Sequence, residues 1–230
     1  MAELILALDL PRGADAMRLL DQLPELRWVK VGPILATREG PDFLRALTER
    51  GLRVFLDLKW HDIPNTVAGA VTAAREVGVS MVTVHTLGGG AMLEAAAVAG
   101  GGELAIVGVT VLTSHDAPSY SRAVGRSEVD LAREVERQAL VAAESGLTGV
   151  VCSPQEVSLL RRRLGPDFAI VVPGIRRHTD PTGDQARIAT ARDAVANGAT
   201  HLVVGRPVLQ SSDPATVLDE FLREAQCIGT

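Results

Sequence analysis

The sequence predicts a single (β/α)8 barrel, and three observations support that prediction. Short apolar runs alternate along the chain with longer segments in which apolar residues recur at helical spacing. The short runs are almost continuously hydrophobic, as expected for parallel strands that are covered on both faces. Eight such βα units within 230 residues fit one closed barrel, a fold that typically uses about 250 residues. We therefore expect residues 1–230 to form one domain.

The predicted strands are short runs rich in Val, Leu and Ile. They cover residues 4–9, 28–32, 53–58, 81–85, 104–110, 149–152, 168–172 and 201–204. Glycine stands just before three of them, at Gly51, Gly78 and Gly198. Because glycine readily adopts the left-handed conformation that ends a helix, these residues mark boundaries between a helix and the next strand.

Helical periodicity covers most of the intervening segments. The predicted helices span residues 42–50, 66–77, 91–99, 129–145, 154–163, 190–197 and 214–225. The longest predicted loops, 113–126 and 173–187, each follow a strand. Both therefore open on the carboxyl face of the barrel, where barrel enzymes carry their active sites.

A doubly wound open sheet is the alternative fold. Such a sheet usually has fewer strands, and its first βα turn carries a glycine-rich phosphate-binding sequence. The first turn here runs Asp-Leu-Pro-Arg-Gly from Asp9 to Gly13 and has no GxGxxG pattern. The barrel is therefore the favoured fold.

The composition argues against several classes of function. A formal net charge of −5 and a pI near 5.6 leave no basic footprint for nucleic acid or for an anionic membrane. The amino-terminal segment has no basic region before its apolar run, and no stretch approaches the ~18 uninterrupted apolar residues of a membrane span. We expect a cytoplasmic protein whose two cysteines, Cys152 and Cys227, are reduced.

The basic residues comprise 21 arginines and only two lysines, Lys30 and Lys59. An arginine keeps its proton in a protein, whereas a lysine ammonium can donate one. The two lysines are therefore the first candidates for proton-transfer chemistry, with retention by chance as the alternative explanation.

Charged residues stand at the carboxyl ends of the first three predicted strands. Asp9 ends the first strand, Lys30 the second, and Asp57 with Lys59 the third. Residues two apart in an extended chain point to the same side, so Asp57 and Lys59 are expected to converge, with Asp62 following after a short turn. The set predicts a catalytic group of carboxylates and ammonium ions. A structural ion pair that closes the barrel mouth is the alternative.

A glycine and an arginine follow each of the last two predicted strands. The seventh strand continues as Pro-Gly-Ile-Arg176, and the eighth as Gly205-Arg206. Barrels commonly bind phosphate at this point, since glycine lets backbone N–H groups approach an anion and arginine supplies a forked, permanent cation. The repeated pairing predicts a small phosphorylated metabolite as substrate, and in the alternative Gly205 only turns the chain while Arg206 is solvated. The five histidines lack zinc-site spacing, so we expect no metal.

The segment from Asp57 to Thr66, with the sequence DLKWHDIPNT, closely resembles the signature of the orotidine 5′-phosphate decarboxylase family. The similarity continues through LALD ending at Asp9, VKVG around Lys30, and four further segments at residues 109–114, 173–176, 184–185 and 204–207. The length resembles the compact bacterial form, which is not fused to a phosphoribosyltransferase. Two features depart from the family pattern: Trp60 stands where many members carry Phe, and the segment 177–183 differs.

The resemblance implies decarboxylation of orotidine 5′-phosphate to UMP and CO2 in pyrimidine biosynthesis, by a homodimer with shared active sites and without any cofactor. Lys59 would protonate C6 of the pyrimidine as the carboxylate leaves. Asp57 and Asp62 would crowd that carboxylate and hold the lysines, with Asp62 and Thr66 reaching into the neighbouring subunit's site. Lys30 would bind a ribose hydroxyl and complete the charged array.

The remaining matched positions are implied to bind substrate. Asp9 would bind the ribose and Thr113 the base, and the loop 173–187 would close over the site as a lid. The other implied contacts are Ile63 and, at the phosphate, Arg176, Gln185, Gly205 and Arg206.

Two other functions stay open at the level of sequence. A metal-dependent keto-sugar-phosphate decarboxylase or aldolase on the same barrel shares the Asp-x-Lys-x-x-Asp pattern, but it places a magnesium-binding carboxylate on the second strand, where this chain has Lys30. A non-catalytic sensor of phosphorylated ligands would need the Gly–Arg elements and would have no use for a Lys–Asp array.

Overall fold

Eight parallel strands close into a barrel in the computed structural model, which describes residues 1–180 and 187–226. Each strand pairs with the next along the chain, and the first pairs with the last, which closes the sheet. The predicted fold class is confirmed. The strands are β1 (Glu3–Ala7), β2 (Trp28–Val31), β3 (Arg53–Trp60), β4 (Met81–His85), β5 (Ala105–Val109), β6 (Gly149–Val151), β7 (Ala169–Val172) and β8 (His201–Val204).

Helices connect successive strands on the outside of the barrel. They are α1 (Gly13–Leu20), α2 (Pro33–Glu49), α3 (Pro64–Val77), α4 (Gly90–Gly100), α5 (Ala117–Ala123), α6 (Leu131–Glu144), α7 (Val157–Leu164), α8 (Ala191–Ala196), α9 (Arg206–Leu209) and α10 (Pro214–Gln226). Short 3-10 turns lie at Thr86–Gly88 and Pro154–Glu156. The seven predicted helices are confirmed, with shifts at their ends.

The structure adds helices that the periodicity did not predict. Helices α1, α5 and α9 have 8, 7 and 4 residues, and α5 lies inside the predicted loop 113–126. Helix α2 begins nine residues before the predicted start because it is two helices joined at Gly40, where φ is 68° and Pro41 follows. The Gly-Pro pair indicates a boundary in sequence and produces a kink in the structure.

Two apolar layers hold the barrel together. Side chains from the strands fill its interior, among them Ile5, Trp28, Phe55 and Met81, while the outer faces of the strands pack against the helices. Trp28 lies at the amino end of β2 and is almost fully buried, with the Arg53 guanidinium 4.2 Å from its ring centroid. Above the filled interior, open space lies at the carboxyl ends of the strands, where the loops carry polar residues.

The described residues also bear on two expectations from composition. None of their helices has the length and apolarity needed to cross a membrane. Cys152 is fully buried and unpaired, and burial raises the pKa of its thiol, whereas Cys227 lies outside the described residues.

Candidate active site

A cavity of about 670 Å³ opens at the carboxyl ends of the strands. Predicted site residues from six different strands or strand ends line it, which brings together positions up to 197 residues apart. Those lining residues are Asp9, Lys30, Asp57, Lys59, Thr113, Arg176, Gly205 and Arg206.

The centre of the cavity is an alternating array of carboxylates and ammonium groups. Lys30 Nζ lies 3.1 Å from Asp9 Oδ1 and 3.6 Å from Asp57 Oδ2. Lys59 Nζ donates to Asp57 Oδ1 at 2.8 Å, and the buried Thr83 hydroxyl donates to the same oxygen at 3.0 Å. Each lysine thus has a carboxylate within direct reach, and Asp57 lies between both lysines.

Asp57 is ionised despite its burial. Burial acts to raise the pKa of this carboxyl, but the charges of Lys30 and Lys59 and the hydrogen bonds from Lys59 and Thr83 outweigh it and lower the pKa. A carboxylate fixed between two cations in this way keeps its charge at neutral pH. Asp57 therefore presents a permanent negative charge to anything bound beside Lys59.

The backbone of Lys59 differs from the extended conformation that the sequence predicts. Its φ is 52°, in the left-handed region, and the β3–β4 register shifts between Leu56 and Trp60. The Lys59 N–H donates to Thr83 Oγ1 at 2.8 Å, which fixes this turn of the chain. The side chains of residues 57 and 59 do converge, but an irregularity in β3 produces that convergence, and the expected strand alternation was the wrong reason.

A glycine makes room for the second ammonium. Gly32 precedes α2, and a Cβ at this position would lie 3.3 Å from Lys30 Nζ and 3.6 Å from Asp9 Oδ1. Because such a contact is tighter than ordinary van der Waals packing, a larger residue would crowd the ion pair. The sequence VKVG around Lys30 thus serves the geometry of the array.

The two Gly–Arg elements both line the cavity. Gly174 has φ of 80° and turns the chain after β7, and Arg176 follows in a nearly buried position. Gly205 follows β8 directly and precedes α9, which begins with Arg206. Both arginines line the same cavity, so the arrangement suits an anion such as phosphate.

Three predicted contacts lie outside this chain's own cavity. Asp62, Ile63 and Thr66 are exposed at the start of α3, and the Asp62 carboxylate accepts a hydrogen bond at 2.6 Å from the Ile63 N–H. Pro64 opens α3, two residues before the predicted start of that helix. Gln185 lies outside the described residues, as does the rest of the lid segment 181–186.

Sequence reasoning missed several residues at the site. Thr83 is fully buried in β4 and contacts both Asp57 and the Lys59 backbone; its signal is a polar residue inside an otherwise apolar strand. Ser114 and Gln210 also line the cavity, and each stands within four residues of a predicted contact.

Two histidines pack beside the array. His61 and His85 stack with ring centroids 5.6 Å apart. Burial, followed by the nearby His61 and Lys59, lowers the pKa of His85 to about 4. His85 is therefore neutral at pH 7 and adds no positive charge next to Lys59.

The fold and the cavity define the class: this is a (β/α)8-barrel enzyme whose site joins a charged Lys–Asp array with a pair of arginines suited to phosphate. The family model of the orotidine 5′-phosphate decarboxylase / HUMPS family matches residues 2–221. The chain belongs to that family.

Individual relatives agree with this assignment. The orotidine 5′-phosphate decarboxylase of Halorhodospira halophila is 50% identical, over 98% of this chain and 97% of its own length. That of Alkalilimnicola ehrlichii is 48% identical, over 97% and 96%. Among solved structures, the orotidine 5′-phosphate decarboxylase of Lactobacillus acidophilus superposes with a TM-score of 0.88 at 34% identity, covering 99% of this chain and 100% of that one.

Proposed function

We propose that this protein decarboxylates orotidine 5′-phosphate to UMP and CO2 in pyrimidine biosynthesis. The observation that carries the proposal is the array of Lys30, Asp57 and Lys59 in a cavity that also contains Arg176 and Arg206. Family membership supports the same reaction. The chemistry needs a proton donor beside the reacting carbon and an anion site for the phosphate, and the cavity supplies residues suited to both.

Lys59 is the proposed proton donor. When the bond between C6 and the carboxylate breaks, the electron pair stays on C6, because the pyrimidine ring offers no good sink for it. The Lys59 ammonium stabilises this developing charge and then transfers a proton to C6, after which the amine regains a proton from water. Asp57, held 2.8 Å from Lys59 Nζ, faces the departing carboxylate and favours its loss as neutral CO2.

The rest of the cavity is proposed to hold the substrate. Asp9 and Lys30 bind the ribose, Thr113 contacts the base, and the phosphate lies against Gly205 and the two arginines. Binding energy from the phosphate, remote from C6, then organises the reacting centre. The predicted phosphate contact of Gln185 and the closing of the 173–187 lid stay predictions. This scheme uses no metal ion and no organic cofactor.

A homodimer with shared active sites is part of the proposal. Asp62 and Thr66 lie on the surface outside their own chain's cavity, where a two-fold partner can receive them. Large apolar side chains are exposed after four successive strands, which is typical of a surface that another protein covers. These side chains are Ile34, Ile63, Leu87 and Leu112, with exposures of 57%, 67%, 42% and 36%.

The proposed location is the cytoplasm. The buried thiol of Cys152 is unpaired, which suits a reducing compartment. We expect both cysteines to be reduced. The check is to unfold the purified protein without reductant and add a thiol reagent, which should then label Cys227.

A direct assay tests the proposed reaction. The purified protein is expected to consume orotidine 5′-phosphate, followed by the loss of its absorbance, at the same rate with and without EDTA. A Lys59→Ala variant purified in parallel controls for enzyme from the expression host and is expected to be inactive. Activity that EDTA abolishes and magnesium restores would instead assign the chain to the metal-dependent keto-sugar-phosphate enzymes.

A further inference from the structure

A buried ion pair lies behind the carboxyl ends of β6 and β7. Arg187 Nη1 contacts Glu156 Oε1, and the two side chains are 7% and 5% exposed. Neither residue lines the cavity. The Arg187 Nε and Nη2 groups are also buried, and among the described residues they have no hydrogen-bond partner. Because burying a charged pair costs much of the attraction it gains, a role in positioning explains this pair better than a role in stability.

Glu156 is fixed to the end of β6. Its Oε2 accepts a hydrogen bond at 3.1 Å from the N–H of Ser153, which is fully buried two residues after β6. The Ser153 hydroxyl accepts in turn from the Gln155 N–H at 3.1 Å. One carboxylate oxygen is thus held by the barrel and the other is directed at Arg187.

Arg187 is connected through the nearby backbone to Arg176, one of the two arginines that line the cavity. Two residues after Arg187, Ala189 pairs with the segment that follows β7: the Arg176 N–H donates to Ala189 O at 2.9 Å, and the Ala189 N–H donates to Gly174 O at 3.4 Å. The backbone that carries Arg176 is therefore tied to a short segment whose other end is anchored on Glu156.

We propose that Glu156 and Arg187 are positioning residues for phosphate binding, which hold the Gly174–Arg176 backbone so that the Arg176 guanidinium faces the cavity. The inference rests on the proposed function in taking the substrate to be phosphorylated. Loss of the pair is expected to weaken binding of the phosphate without removing the Lys59 proton donor.

The test uses three variants: Glu156→Gln, Arg187→Gln and the double variant. Binding of inorganic phosphate and of UMP is measured by calorimetry well below the Tm of each protein, and turnover of orotidine 5′-phosphate is measured alongside. Each single variant is expected to bind phosphate and UMP about tenfold more weakly and to raise KM by more than it lowers kcat.

The double variant separates positioning from stability. It leaves no unpaired buried charge, so its Tm is expected to recover relative to the single variants, while its phosphate affinity stays low. Leu160→Ala, which removes a fully buried side chain from α7, is the matched control and is expected to lower Tm with unchanged phosphate affinity.

Two results would overturn the inference. The first is that both single variants bind phosphate as tightly as wild type does. The second is that phosphate affinity rises and falls with Tm across the three pair variants and Leu160→Ala. If phosphate binding depends on the Glu156–Arg187 pair but the wild-type protein does not turn over orotidine 5′-phosphate, the proposed reaction is rejected and this inference stands. If the wild-type protein turns over orotidine 5′-phosphate normally and the Glu156 and Arg187 variants do so equally well, this inference is rejected and the proposed reaction stands.

Discussion

Lys59 combines two uncommon properties in one residue. Its side chain carries a proton that can be transferred, and its backbone occupies the left-handed region at φ of 52°. A non-glycine residue in such a conformation costs about 1–3 kcal/mol, and the bond from its N–H to the buried Thr83 hydroxyl helps to hold it there. The strain places the ammonium against Asp57, so this cost is part of how the site is built.

Lys59→Arg is expected to lose at least about 100-fold in kcat. The substitution keeps the positive charge and nearly the same reach, but a guanidinium does not act as a proton donor at neutral pH. The check is turnover of orotidine 5′-phosphate together with binding of UMP, which reports whether the cavity is intact. Near wild-type turnover would make Lys59 an electrostatic group and not the acid.

Arg206→Ala is expected to weaken the reaction of orotidine 5′-phosphate far more than that of the nucleoside orotidine. Removing a charge-assisted hydrogen bond to phosphate costs about 1.5–3 kcal/mol, and the nucleoside has no phosphate to lose. The comparison is kcat/KM for the two substrates, with Arg162→Ala on the exposed face of α7 as the control. An equal loss on both substrates would show that Arg206 does not contact phosphate.

At the scale of elements, a buried carboxylate on α6 ties down the segment after β5. Glu134 is 6% exposed on its side chain and pairs with Arg126 and Arg137. Its Oε1 also accepts hydrogen bonds from Gln138 at 2.8 Å and from the Tyr120 hydroxyl of α5 at 3.3 Å. The segment that begins with Thr113 and Ser114 at the cavity is thus anchored to α6 through Glu134 and through Gln138, whose Nε2 donates to the Tyr120 hydroxyl at 2.8 Å.

Stability is expected to fall in acid because of Glu134. The hydrogen bond from Arg137 lowers the pKa of this carboxyl most, and bonds from Gln138 and Arg126 add to the effect. Burial acts in the opposite direction, and the resulting pKa is about 2. A carboxyl with a depressed pKa in the folded state stabilises it above the unfolded pKa, and this contribution is lost as the pH falls from about 4.5 toward 2. The contribution at pH 7 is on the order of 3 kcal/mol.

Urea unfolding of Glu134→Gln at a series of pH values checks this expectation. The variant is expected to be less stable than wild type at pH 7, with the difference shrinking toward pH 2. Glu144→Gln, an exposed position at the end of the same helix, is the control and should keep the wild-type dependence. A constant difference between Glu134→Gln and wild type across this range would contradict the assignment.

The elements differ in how far the sequence predicts them. The strands were predictable because most of their residues are buried and they therefore read as almost continuous apolar runs, and parallel strands bring their carboxyl ends together. That rule brings Asp9, Lys30 and Arg206 to one cavity. The irregularity at Lys59 was not predictable from Arg53–Trp60, because it depends on a hydroxyl of the neighbouring strand, and α5 was missed although Asp116 caps it through a capping box.

At the scale of the whole molecule, the position of Asp62 makes the shared site testable. Lys59→Ala and Asp62→Ala proteins are each expected to be inactive, but a mixture that exchanges subunits should regain activity. In each heterodimer one site combines an intact Lys59 with an intact Asp62 from the other chain, so at most about half of the sites recover.

The matched control is a mixture of Lys59→Ala and Asp57→Ala proteins. Both residues belong to the same chain's cavity, so no heterodimer rebuilds a complete site and no activity should return. Heterodimers of Lys59→Ala and Asp62→Ala that form but stay inactive would mean that each chain uses its own Asp62.

The two tryptophans of this chain lie at opposite ends of the barrel. Trp28 is buried at the amino end of β2, while Trp60 is half-buried at the carboxyl end of β3, one residue after Lys59. In optical terms the protein carries two tryptophan fluorophores, one enclosed in the barrel interior and one at the mouth. Trp60→Phe leaves a tryptophan emission that reports only on the barrel interior. Subtracting the emission spectrum of Trp60→Phe from that of the wild-type protein gives the emission of Trp60. That difference then reports on the surroundings of Trp60 at the barrel mouth as ligand is added.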